Sequence, residues 1–138
     1  MGPWLEHVQR RLRSGLCGPG RAPLRGAGLV RCASSRCQRP SFAEALGFAV
    51  RDVALLDRLY AASAETVLDV VESLSDRAKT AMVFGHNPGF TDLANRLSPG
   101  VGEMPTCAVL ELVFGMKTWS AIRATPPRTV TLDIPKRL

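Results

Sequence analysis

An unbroken apolar run that ends on an imidazole is the feature that most restricts this chain. Residues 80–90 read TAMVFGHNPGF. From Ala81 to Phe84 there is no polar alternation, the pattern of a strand covered on both faces, as strands of parallel sheets are. Asn87, Pro88 and Gly89 then supply a tight turn. In FTDLANRL, Phe90, Leu93, Ala94 and Leu97 recur at helical spacing, so a helix is predicted to begin near Thr91 or Asp92. In open α/β sheets ligands bind beyond the carboxyl ends of the strands. His86 stands at such a point, and Gly85 lets backbone approach a guest closely. Free N–H groups at the start of the helix are expected to face the same place, which suits an anion such as phosphate. An imidazole there can present positive charge to phosphate or pass a proton to a leaving group. It can also be a plain polar strand terminus with a satisfied hydrogen bond. Position and chemistry alone leave both open.

The flanking sequence predicts a fold of the same class. SAETVLDVVESL is the strongest helix pattern, with Ser63 as its cap and Glu65 in the first turn, where the dipole favours an anion. Val67, Leu68, Val71 and Leu74 form its apolar stripe. Before it, SFAEALGF reads as the end of a helix stopped by Gly47, and AVRDVALLDRLY as an extended piece leading into a turn. Asp76, Arg77 and Lys79 mark a polar turn, and SPGVGEMPT a loop. CAVLELVFG reads as a strand with Ala108, Leu110, Leu112 and Phe114 on one face, and KTWSAI as a short strand or turn. TVTLDIP alternates, with Val130, Leu132 and Ile134 expected to face inward until Pro135 ends the strand. Helix, buried strand, helix and alternating strands imply an α/β layer fold with a mixed sheet.

Charge divides the chain in two. Residues 1–40 hold eight Arg and one acid, Glu6, whereas residues 41–138 hold ten basic and eleven acidic side chains. The net charge of +6 therefore resides in the first segment. Gly and Pro crowd GLCGPGRAPLRGAG, so residues 1–40 are expected to be a disordered leader or a segment foreign to the fold, and residues 41–138 the folded domain. WLEHVQRRLRSGL allows a short amphipathic helix, and its arginines and scarcity of acids also match a transit peptide. Trp4 is the only aromatic in that segment, so the aromatic interleaving of a nucleic-acid face is missing and no nucleic-acid partner is expected. No apolar run approaches the ~20 residues needed to cross a bilayer, so no membrane partner is expected either. Cys17, Cys32, Cys37 and Cys107 form no C-x-x-C pair, which argues against a zinc site. Neither Cys32 nor Cys37 is followed six residues later by Arg, which a cysteine-based phosphatase requires. Without a signal-peptide core, a cytoplasmic location with reduced thiols is expected.

MVFGHNPGFTDLANRL resembles the second signature of the histidine phosphatase (phosphoglycerate mutase-like) superfamily, in particular the phosphohistidine phosphatase SixA type. LDRLYAASAETVLDVVESL before it, and MPTCAVLELVF, Trp119 and IPKRL after it, agree in order, so the resemblance covers roughly residues 42–138. It implies a three-layer α/β/α domain with a mixed, mostly parallel sheet and a phosphate pocket above it. In that family a histidine of an Arg-His motif on the first strand attacks phosphorus, and water later hydrolyses the phosphohistidine. His86 matches the second histidine, which stabilises the transferring phosphoryl group and can assist proton transfer. Two arginines bind its oxygens, as a charge-dense group requires. No cofactor and no metal are implied. The partner implied is a phosphorylated small molecule or a phosphohistidine protein, while nothing in the sequence fixes the oligomeric state.

The chain departs from the family pattern at the nucleophile. The only other histidine is His7, between Glu6 and Val8 in helix-like surroundings. LVRCA resembles the first motif with Cys32 where the histidine belongs, yet few residues separate it from RLYAAS. Read instead as a later family segment, SSRCQR places Arg39 as a phosphate ligand, although the family's following Gln-Thr is absent. Asn87 is a second candidate for phosphate contact, or simply the residue that holds the turn. Thr106 is a candidate pocket hydroxyl or a strand start, and Glu103 a candidate acid or an exposed loop carboxylate. Tyr60 and Trp119 are expected to be packing residues. The Arg, Gly, Pro, Ala, Ser and Cys content of residues 1–40 also fits GC-rich codons read out of frame, so a frame-shifted or truncated, catalytically inactive remnant is a second expectation.

Overall fold

The computed structural model describes residues 30–32, 49, 53–106 and 108–134. It separates into two compact units, one formed by residues up to 57 together with 77–84, the other by residues 58–76 and 85–138. The expected helix in SFAEALGF, the amphipathic helix of the leader, and His7, Arg39 and Cys107 lie outside the described residues.

The first unit contains a parallel sheet. Strand β1 (Val30–Cys32) lies between β2 (Ala54–Leu55) and β3 (Met82–Phe84) and runs parallel to both. Arg31 stands opposite Ala54 on one side and Val83 on the other, and Cys32 opposite Leu55 and Phe84. The predicted run TAMVFG thus supplies a strand of a parallel sheet. Position among the strands differs from expectation: β1, from within the supposed leader, is the middle strand. Its sequence, VRC, is too short to carry a periodicity, and its pairing is entirely with strands distant in sequence. Val53 and Ala78 are the buried apolar residues described in this unit.

The second unit is built on two nine-residue helices. Asp57–Leu59 forms a 3-10 turn ahead of them, with Leu59 fully buried. Helix α1 (Ala64–Glu72) begins as the sequence predicts, with Ser63 Oγ accepting the N–H of Thr66 at 3.3 Å. Val67, Leu68 and Val71 of the predicted stripe are buried, together with Leu74 just beyond the helix and Val70 beside them. Ser73 closes the C-terminus, donating from its backbone to Asp69 and from its hydroxyl to the Val70 carbonyl at 2.7 Å. Helix α2 (Gly89–Leu97) buries Ala94 and Gly89, and half-buries Phe90, Leu93 and Leu97. It starts two residues before Thr91 because Asn87 and Pro88 already provide acceptors for its first turn.

Strands β4 (Val109–Val113) and β5 (Thr129–Asp133) pair antiparallel, with Leu110 opposite Leu132 and Leu112 opposite Val130. They form their own two-stranded sheet rather than joining the parallel one, so the described residues contain two sheets where one mixed sheet was expected. Val130 and Ile134 are exposed, at 38% and 46%, not inward-facing. Alternation identifies which residues share a face, but only a covering layer can bury that face. Residues 119–121 form a 3-10 turn in place of the short strand allowed by KTWSAI. Tyr60, expected to pack, is 69% exposed, whereas Trp119 is half-buried.

Candidate functional site around His86

The site begins where β3 ends. Gly85 follows the strand, and a Cβ added there would meet the Phe90 ring, so any other residue would have to push that aromatic away from the turn. His86 comes next and is exposed to solvent. The Asn87–Pro88 peptide is cis. Gly89 is buried beside the segment that leads into α1: an added Cβ would meet the Ala62 carbonyl oxygen and lie 3.5 Å from Ser63 Cα. The start of α2 and the start of α1 therefore sit side by side, and glycine is what permits it.

The first N–H groups of α2 are consumed locally. Phe90 N–H donates to the His86 carbonyl at 3.4 Å, Thr91 N–H to Asn87 Oδ1 at 3.2 Å, and Asp92 N–H to the Pro88 carbonyl at 3.0 Å. The expected cradle of free donors is thus reduced, because a short polar side chain ahead of a helix competes for those donors. The helix dipole remains, with its positive end at the turn that carries His86.

Asn87 is held by three bonds. Its Nδ2 donates to the Met104 carbonyl at 2.5 Å, and its Oδ1 accepts from both the backbone N–H and the hydroxyl of Thr91, the latter at 2.9 Å. The turn-holding role is visible in this geometry. One N–H of the amide has no protein partner among the described residues, so contact with a guest is compatible with it. Met104 N–H donates to Thr91 Oγ1 at 3.1 Å. One turn further along, Asn95 exchanges two hydrogen bonds with the backbone of Gly102, at 2.8 and 3.0 Å, and also donates to the Thr91 carbonyl. The loop that carries Glu103 is therefore anchored on α2. Glu103 and Thr106 themselves are exposed. Sequence reasoning missed Thr91 and Asn95 as parts of this arrangement. The available signal was their spacing: residues 87, 91 and 95 recur every four positions, which aligns them on one helical face.

A charged cluster lies on α1. Glu65, Asp69 and Glu72 share one face, and Arg123 reaches all three, with Nη1 to Glu65 and Nη2 to Asp69 at 2.6 Å and Nε to Glu72 at 2.9 Å. Arg96 of α2 also pairs with Glu65. The Arg123 guanidinium is held above its ordinary value, chiefly by its hydrogen bond to Glu72. These arginines are committed to the helix rather than offered to a guest. Among the described residues no group of His, Cys, Asp and Glu is arranged to hold a metal ion. No helix among them is long and apolar enough to cross a membrane.

No protein-family model matches the chain, and no curated protein matches it. A solved structure does: a protein assigned as the phosphohistidine phosphatase SixA from Nakamurella multipartitia, with a TM-score of 0.63 over 99% of this chain and 85% of that one. The chain has that protein's fold. At 17% identity the likeness concerns backbone architecture, and the chemistry has to be argued from the residues of this chain.

Proposed function

We propose that the chain is a phosphohistidine phosphatase-like hydrolase in which His86 faces the phosphoryl group. One observation carries the reading: an exposed imidazole in a Gly-His-Asn-Pro-Gly turn, between a parallel strand and the positive end of a helix, in a fold shared with a SixA-type protein. A transferring phosphoryl group spreads negative charge over its oxygens, and positioned positive charge is what stabilises it. The spare N–H of Asn87 is a further contact for those oxygens, and Arg39 is the proposed cationic ligand. The three-layer α/β/α arrangement, a phosphorylated small molecule or phosphohistidine protein as substrate, and a cytoplasmic setting belong to the same reading. Hydrolysis through a phosphohistidine needs a second histidine, and the sequence offers only His7.

The experiment is turnover of a phosphohistidine substrate or an aryl phosphate by the full chain and by His86→Ala. Loss of at least about a hundredfold in kcat/KM is expected on removing a group that stabilises the transition state. Equal rates from both chains would remove His86 from the chemistry.

A second reading has its own support. The Arg-His motif is not found, and three of the first N–H groups of α2 are used internally. On this reading the chain is a remnant that binds phosphate without turning it over. Phosphate or vanadate would then raise the thermal midpoint of the wild type, and not of His86→Ala, with no product formed.

A further inference from the structure

The polar bonds around Asn87 form a closed circuit with one direction. Met104 N–H donates to Thr91 Oγ1 at 3.1 Å, Thr91 Oγ1–H donates to Asn87 Oδ1 at 2.9 Å, and Asn87 Nδ2–H donates to the Met104 carbonyl at 2.5 Å. A hydroxyl accepts on a lone pair and donates its single proton, so Thr91 can take the Met104 N–H and donate to Asn87 at the same time. An amide has distinct ends, so the Asn87 side chain satisfies this circuit in only one of its two flipped orientations. The backbone of one loop residue, Met104, is thereby read at both its N–H and its C=O by two side chains of the His86 turn and α2. Met104 is buried, at 8% exposure, so the circuit is closed over a packed side chain rather than a free loop.

We infer that Thr91 is a positioning residue for His86. Its backbone N–H and its hydroxyl both hold Asn87 Oδ1, the hydroxyl also ties that amide to the Met104 N–H, and the Asn87 main chain carries the adjoining imidazole. Phe90 N–H, next to Thr91, also donates to the His86 carbonyl at 3.4 Å, so the two residues at the start of α2 hold the turn from both sides. Asn95 supports the arrangement one turn away by locking Gly102 through its pair of bonds, which fixes the approach of the loop to Thr91. Thr91 does not touch the guest in this scheme; it acts through Asn87. The inference rests on the functional reading above for the role of His86, but not for the circuit itself.

The test compares the full chain with Thr91→Val, which keeps the branched shape and removes the hydroxyl, and with Thr91→Ser, which restores the hydroxyl alone. The readout is the His86 Cε1–Hε1 resonance, alone and during titration with inorganic phosphate. The valine variant should move the resonance of the free protein and weaken the phosphate response about tenfold, the effect of one lost hydrogen bond in a connected set. The serine variant should return both to within about twofold of the wild type. An unchanged resonance and an unchanged titration in Thr91→Val would overturn the inference. A wild-type His86 that ignores phosphate would overturn the functional reading instead, and the free-protein resonance would still decide the circuit. Should the valine variant fail to fold, amide hydrogen exchange in the unaltered chain decides: Met104 N–H must be protected, and exchange at the rate of an open loop amide rules the circuit out.

Discussion

Helices α1 and α2 have the same length and lie with their first turns together, yet their starts are fixed differently, although Arg96 of α2 also joins the charged face of α1 through Glu65. Helix α1 is begun by Ser63, a local cap, and is gripped along its exposed face by Arg123 through three carboxylates. Helix α2 has no side-chain cap at Pro88. Its start is tied into the circuit of neutral hydrogen bonds that joins Asn87, Thr91 and Met104. Ion pairs at a solvated surface tolerate small movements and weaken with salt, whereas neutral hydrogen bonds of fixed polarity define an orientation. The helix next to the candidate phosphate site is the one held by oriented bonds. Precision is placed where the imidazole is, and charge is placed on the far more forgiving helix face.

The largest disturbance to this contrast should come from the shared core beneath it. Leu68 is 1% exposed, and Leu68→Ala should cost about 3 kcal/mol of unfolding free energy in a denaturant melt, as burial of this completeness does elsewhere. Gly89→Ala should follow at about 2 kcal/mol, because the new methyl would meet the Ala62 carbonyl and force the two helix starts apart. This variant should also disturb His86, and an unaffected His86 resonance would show that the helix starts move independently of the turn. Ser63→Ala should cost about 1 kcal/mol, with its effect confined to α1. Asn95→Ala should speed hydrogen exchange at Gly102 more than at Met104, since Thr91 still holds the latter.

The smallest effect belongs to the charged face. Arg123→Gln should lower the melting midpoint slightly, and the difference should shrink as salt is added. A cation held above its ordinary value contributes fully below its unfolded-state pKa and loses that contribution only as pH rises through the folded-state value. Both lie far into alkali for an arginine, so the Arg123 contribution should not vary around neutral pH by its own titration.

Much of this molecule was written in local pattern. The apolar run at 81–84 gave β3, the serine before an amphipathic stretch gave the start of α1, and alternation gave β5. His86 stood out because an imidazole at a strand end followed by Asn-Pro-Gly has a chemical meaning that a simple chain reversal does not need. Each of these rests on interactions within a few residues, which a sequence displays directly.

What the sequence alone could not decide depends on partners far along the chain. The strand status of Val30–Cys32 comes from pairing with residues some twenty and fifty positions away, and three residues have no periodicity to announce it. The exposure of Val130 and Ile134 depends on what lies over the β4–β5 ribbon, not on alternation within it. The closing of the circuit through Met104 required the 98–106 loop to return to the helix start. Residue type sets which bonds are possible; only the folded chain selects which donor meets which acceptor.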